Sequence, residues 1–172
     1  VDKQGFEITT LRRDVATDGR RAVVAYTDDW AEDARRRDFT MNTLFADLSG
    51  KVYDPLGQGI QDLERRKIIF VGDPAERIKE DYLRVLRFFR FHVKYGKGAP
   101  DRAALAACAA ASRKLKTLSK ERVTQEVLKI LEVAKCPPVL SLMRTHGLLK
   151  DVIAANYEEA ALSALIKKQK EP

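Results

Sequence analysis

The segment KEDYLRVLRFFRF, Lys79–Phe91, sets Glu80, Asp81, Arg84, Arg87 and Arg90 among apolar and aromatic residues. Carboxylates only accept hydrogen bonds and guanidinium forks only donate them, so alternating the two builds a surface that can read a polar ligand. A second segment, RRRDFTMNTLF, Arg35–Phe45, places Arg37 and Asp38 shortly before Asn42. Arginine holds phosphate or ribose oxygens, while Asp and Asn accept from and donate to sugar hydroxyls. Each segment also has an ordinary reading. Glu80 with Arg84 and Asp81 with Arg84 are i,i+4 and i,i+3 pairs, each supporting a helix by about 0.2 to 0.5 kcal/mol, and the RRR run suits a basic patch at a helix end.

The elements that position these side chains follow from periodicity. Projected as one helix, residues 80–91 put Tyr82, Val85, Leu86 and Phe89 on a core face, with Glu80, Arg84 and Arg87 opposite. Leu83 and Phe88 flank that charged stripe and Asp81 stands at its shoulder, an arrangement suited to a lined cleft. Upstream, FEITTLR and AVVAY read as strands separated by a turn at TDGRR. The aspartates of TDDW cap a helix through AEDARRR. LFADLSGKVYD is a hairpin with Ser49 and Gly50 at its tip, LGQGIQDLERRK a short helix after a turn, and IIFVG a last strand. From Asp73 and Pro74, which fit a helix cap and first turn, the pattern is helical throughout. DRAALAACAAAS is an alanine-rich helix, SKERVTQEVLKILEVA a helix capped by Ser119 with Val123, Val127, Leu128, Leu131 and Ala134 on one face, and Gly147 ends a helix starting near Pro138. The division falls near residue 72, giving a mixed part, 1–72, and an all-helical part, 73–172.

The 172 residues are 45% hydrophobic and 33% charged, with a net charge of +7 that favours a polyanionic partner. No apolar run reaches the roughly 18 residues of a membrane span, and the first residues lack the basic-then-apolar pattern of a secretory signal. Cys108 and Cys136 are too few for a disulfide framework, so a reducing, cytoplasmic setting is expected. His92 and His146, the only histidines, exclude a zinc site built on several imidazoles.

Taken in order, RRDFTMN, DPLGQGIQDL and EDYLRVLRFFRF resemble motifs B, C and D of the class II tRNA nucleotidyltransferases, a family of CCA-adding enzymes and bacterial poly(A) polymerases. FEITTLRRD before them and SKERVTQEVLKIL after them, the latter like motif E, extend the resemblance over about Val1 to Leu131. It implies an α+β fold: an incomplete polymerase β-like nucleotidyltransferase head followed by a helical neck and part of a body. It further implies that Arg37, Asp38 and Asn42 hold the ribose of an incoming nucleotide. Asp81 and Arg84 would serve as a protein template for the base, with Glu80 orienting the arginine. Cytosine and adenine both present an amino donor beside a ring-nitrogen acceptor, which a carboxylate next to a guanidinium matches, whereas guanine and uracil present the reverse. Arg87 and Arg90 either reach triphosphate or RNA backbone or pair with acidic neighbours. In DPLGQGIQDL, Gly57 and Gly59 either lend the pocket flexibility or simply form a turn before a helix.

The resemblance implies Mg²⁺ as cofactor, ATP and CTP as substrates and the 3′ end of tRNA or another RNA as partner. The family's metal-binding D-x-D pair has no counterpart, because no two aspartates stand two apart; Glu7 is the candidate third catalytic carboxylate. The expectation is therefore of an inactive fragment from an enzyme that adds C and A to tRNA 3′ ends, with poly(A) synthesis as the near alternative. A non-catalytic helical RNA-binding module is the alternative of another class, and would show salt-sensitive binding without preference among bases.

Overall fold

In the computed structural model, which describes residues 9–17 and 22–150 together with Val152 and Ala164, the strands come first and helices follow. β1 (Arg12–Thr17) pairs antiparallel with β2 (Ala22–Tyr26), Arg12 opposite Tyr26, with a register shift between Asp14 and Ala16. Of the strand expected over FEITTLR, Thr9–Leu11 are not in a strand and only its last residue, Arg12, lies in β1. Thr27 N–H donates to the Leu11 carbonyl at 3.2 Å, so the pairing fades at Leu11. Phe6, Glu7 and Ile8 of that segment and most of the TDGRR turn lie outside the described residues.

α1 (Trp30–Arg35) is capped by Asp29, whose carboxylate accepts from Ala31 N–H at 2.7 Å. It stops short of Arg37. A 3₁₀ turn over Thr40–Asn42 follows, then the hairpin of β3 (Phe45–Ala46) and β4 (Val52–Tyr53), with Gly50 at φ 84° in its turn.

α2 (Gly59–Glu64) opens against the 3₁₀ turn. A Cβ on Gly59 would stand 2.6 Å from the Thr40 carbonyl oxygen and 2.8 Å from Leu44 Cδ2, so close approach, not flexibility, explains this glycine. Gly59→Ala is expected to destabilise the chain by about 1 to 3 kcal/mol, read as a lower urea midpoint. A midpoint equal to the parent's would show that the 3₁₀ turn yields freely. α2 ends in a Schellman motif: Lys67 N–H donates to the Asp62 carbonyl at 2.8 Å and Arg66 N–H to that of Leu63 at 3.0 Å. Arg66 occupies the left-handed position, φ 53°, which strains an L-residue by about 1 to 3 kcal/mol.

IIFVG forms no strand of its own. Ile68 and Phe70 point inward as a strand would, but their only pairing is an isolated antiparallel bridge of Phe70 with Phe39. The chain at Thr40 turns into the 3₁₀ helix, which leaves no further partner. The bridge holds residues 38–40 firmly, with Thr40 N–H on the Ile69 carbonyl at 2.9 Å and Val71 N–H on that of Asp38 at 3.0 Å.

The helix expected over residues 80–91 is two helices. α3 (Pro74–Glu80) begins at Asp73, which accepts from Glu76 N–H at 3.0 Å. Asp81 is extended, φ −152° and ψ 108°, and α4 (Leu83–Tyr95) starts after it. Asp81 itself favours the break, because its carboxylate accepts from Leu83 N–H at 3.0 Å and so caps the new helix. α4 is buried around most of its circumference. Val85, Leu86, Phe88 and Phe89 are fully buried, and Leu83, counted among the flanks of a charged stripe, is core as well. Phe39, Phe70, Phe88 and Phe91 form one aromatic cluster, with Phe39 centred 4.8 Å from Phe70 and 5.1 Å from Phe91.

α5 (Arg102–Ala110), capped by Asp101, packs on α3 and buries Ala104 and Cys108 completely. A second 3₁₀ segment, Ser112–Thr117, leads to α6 (Lys120–Leu131) and α7 (Cys136–Thr145), both packed on α4. Ser119 stands at the cap of α6, but its hydroxyl makes no capping bond. The buried face of α6 is only partly the expected one: Val123 and Leu131 pack on the core, but Glu126 and Ile130 are buried while Leu128 is 53% exposed. Glu126 turns inward to meet Arg90 of α4. α7 starts at Cys136, two residues before Pro138, and Gly147 follows it at φ 70°. Among the described residues no helix is long and apolar enough to cross a membrane.

Candidate functional site

Between the residues following α1 and the N-terminal half of α4 lies a cleft of about 720 Å³. Arg12, Arg36, Arg37, Arg84, Arg87, Arg90 and Arg122 line it, together with Asp38, Asn42, Asp81, Leu83 and Phe91. A volume of this size suits a small organic ligand, and the excess of guanidinium over carboxylate suits an anionic one. The structure thus brings the two sequence segments to one cavity.

Asp38 is the anchor of the first segment. It is buried, and its carboxylate accepts from Asn42 Nδ2 at 2.8 Å, from Phe39 N–H at 3.0 Å and from Arg87 Nε at 2.6 Å. Burial opposes its charge, but these donors, Arg87 foremost, outweigh it and hold the carboxyl below its ordinary range. Arg37 does not pair with Asp38. It donates through Nε and Nη2 to one oxygen of Asp33, at 3.1 and 2.8 Å, and lies over the Phe45 ring.

In the second segment Asp81 and Arg84 both line the cleft, whereas Glu80 stands outside it, on an adjoining cavity of about 160 Å³. Glu80 binds Arg84 Nη1 on one side and Arg77 Nη1, at 2.7 Å, on the other. Arg84 Nη1 also donates to the Arg77 carbonyl at 2.7 Å. The expected Asp81–Arg84 pair is absent: Asp81 gives one oxygen to the α4 cap and the other to Arg122 Nη2 at 2.7 Å. Arg87 and Arg90 both have acidic partners. Arg87 pairs with Asp38, and Arg90 Nε with buried Glu126 at 2.6 Å, while both still line the cleft.

Several residues here escaped the sequence reading. Asp33 is 1% exposed and holds Arg36 and Arg37 together, besides accepting from Arg12 N–H at 3.2 Å. Its spacing of three and four from those arginines was the available signal. Arg77 fastens the two segments, donating through Nη2 to the Arg36 and Arg37 carbonyls at 2.6 and 2.8 Å. Arg12 and Arg122 reach the cleft from distant elements and carry no local signature.

The family described as "Poly A polymerase head domain" matches residues 1–69, and that described as "Probable RNA and SrmB- binding site of polymerase A" matches residues 99–154. The chain belongs to the tRNA nucleotidyltransferase and poly(A) polymerase family. It is 45% identical over 150 residues to the mitochondrial CCA tRNA nucleotidyltransferase 1 of Danio rerio, covering 86% of this chain and 35% of that protein. It is 41% identical over 164 residues to the CCA-adding enzyme of Streptococcus gordonii, covering 94% of this chain and 41% of that one. Among solved structures it matches the Bacillus stearothermophilus CCA-adding enzyme in complex with CTP, with a TM-score of 0.75 and 29% identity over 92% of this chain and 38% of that chain. The chain therefore spans between a third and a half of the length of these relatives. The fold is α+β, a polymerase β-like head portion followed by helices, as the sequence led us to expect.

Proposed function

We propose that the cleft binds CTP and ATP for the addition of C and A to the 3′ end of tRNA, the activity in the names of the relatives above. The observation that carries this reading is the meeting of Asp38, Asn42 and Arg87 with Asp81 and Arg84 in one cavity, from segments about 40 residues apart. In it Arg37, Asp38 and Asn42 attend the ribose, and Asp81 and Arg84 read the Watson–Crick edge. Arg84 spends Nη1 on Glu80 and the Arg77 carbonyl, which fixes the plane of its fork. Nε and Nη2 are then the donors left for the base. An ionised carboxylate has about four lone-pair sites, so Asp81 can serve Leu83, Arg122 and a nucleobase amino group together. Arg87 and Arg90 add positive charge toward the phosphates. AMP addition to RNA ends is the second reading, favoured by the head-domain match. A reducing compartment remains part of this proposal, since Cys108 and Cys136 are both free and buried.

Mg²⁺ does not fit the described residues. Among the described residues no three His, Cys, Asp or Glu converge, and the Asp33 and Asp38 carboxylates are taken up by arginines. These residues bind and select the nucleotide, and joining it to RNA draws on carboxylates that the described residues do not supply. The test is nucleotide titration of the 172-residue chain. CTP and ATP should protect it against thermal unfolding while GTP and UTP do so at least about tenfold less well, and labelled CTP should not enter tRNA. Equal protection by all four nucleotides would mean that the cleft recognises only phosphate and sugar.

A further inference from the structure

Around the cleft, arginines are answered by carboxylates: Asp33, Asp38, Glu80, Asp81 and Glu126 all hold one or more. At the C-terminal end of α4 the balance reverses. Arg65, Arg66 and Lys67 leave α2 there, and Lys94 and Lys97 close α4. The two groups are tied by Lys97 N–H donating to the Arg66 carbonyl at 3.0 Å and by Lys67 Nζ donating to that of Ala99 at 3.1 Å. Among the described residues none of these five cations has a carboxylate within ion-pair distance. Arg65, Arg66, Lys94 and Lys97 are exposed.

Arg66 adds an independent observation. It is the only non-glycine with positive φ among the described residues, at the Schellman position where glycine sits without strain. The fold bears that strain and gains a cation on the surface. At the end of α4 Tyr95 is 40% exposed with Lys94 Nζ 5.3 Å from its ring centre, an aromatic face next to a cation. Uncompensated cations around an exposed aromatic ring suit a nucleic acid, whose phosphates pair with the cations and whose bases stack. The match to the RNA-binding family begins at residue 99, whose carbonyl Lys67 grips, so the patch runs directly into that segment.

We propose that Arg65, Arg66, Lys94 and Lys97 form a docking surface for the phosphate backbone of RNA, separate from the nucleotide cleft. The inference rests on the RNA substrate of the proposed function, but not on how the cleft selects a base. The test titrates a labelled RNA hairpin with a single-stranded 3′ end into the 172-residue chain between about 50 and 200 mM KCl. R66Q/K94Q/K97Q is expected to weaken binding roughly tenfold at the higher salt's midpoint and to lower the slope of log affinity against log salt by about two. CTP protection should stay unchanged. Arg66→Gly separates binding from folding, because relieving the backbone should raise the melting temperature while RNA affinity falls about threefold. Three outcomes overturn the proposal. The triple variant could bind RNA within about twofold of the parent and with the same slope. The control K114Q/K116Q/K120Q could lose as much, making the effect one of net charge. Or the triple variant could lose binding to phosphatidylserine vesicles while keeping that to RNA.

Discussion

Arg84→Ala is expected to erase the preference for CTP and ATP over GTP and UTP. The guanidinium supplies the donor half of the proposed base-reading pair, and a charged hydrogen bond in a partly desolvated cleft contributes about 1.5 to 3 kcal/mol. Losing it should reduce protection by CTP by a factor of about 10 to 100, with GTP almost unaffected. Because Arg84 also binds Glu80 and the Arg77 carbonyl, a drop in melting temperature will accompany the change. Arg84→Lys separates the two roles. The ammonium can still meet Glu80 but presents no planar fork, so much of the stability should return while the discrimination stays lost. A lysine variant that still prefers CTP and ATP would remove Arg84 from base reading.

The second large effect is expected at Asp38. Asp38→Asn keeps the volume but leaves Arg87 facing an amide, in a place where Asn42 and Phe39 N–H already need an acceptor. With Arg87 about a third exposed, water recovers part of the loss, so we expect destabilisation of about 2 to 3 kcal/mol and weaker binding of all four nucleotides alike. The dependence on pH follows from the lowered carboxyl. The ion pair's contribution is complete above the unfolded value near 3.8 and is lost as pH falls through the still lower folded value. Urea unfolding at neutral pH and near pH 3 should therefore show the gap between parent and variant narrowing with acid. A gap that stays constant would mean that the variant fails through packing, not charge.

What the sequence made legible was mostly local. Asp29 and Asp73 cap the helices they precede, Gly50 and Gly147 take positive φ, and the order of the segments led to the family, because each signal lies within a few residues of what it controls. Of the residues lining the cleft, Arg37, Asp38, Asn42, Asp81, Arg84, Arg87 and Arg90 stood out as residue types, whereas Arg12, Arg36 and Arg122 did not. Long-range partners were not legible. Arg87 meets Asp38 across 49 residues and Arg122 meets Asp81 across 41, and spacing along the chain says nothing about either. The continuous helix through residue 81 was a natural inference, since Glu80 and Arg84 do pair as an i,i+4 couple would. An aspartate that prefers capping over continuing changes the geometry without disturbing that pair. α6 departs from its apolar pattern for a similar reason: Glu126 turns inward for Arg90 and Leu128 is left outside, while Val123 and Leu131 still pack on the core.

The interruption at Asp81 bears on how a protein surface could stand in for a nucleic-acid strand. Within an unbroken helix, two side chains three residues apart are locked at a distance set by helical pitch. Here the acceptor sits on the joint and the donor on the rod beyond it, the two linked through the Asp81 carboxylate on Leu83 N–H and the Asp81 carbonyl on Arg84 N–H. Because Glu80 and the Arg77 carbonyl hold that donor from α3, any bend at the joint is felt directly by the contacts that orient the arginine.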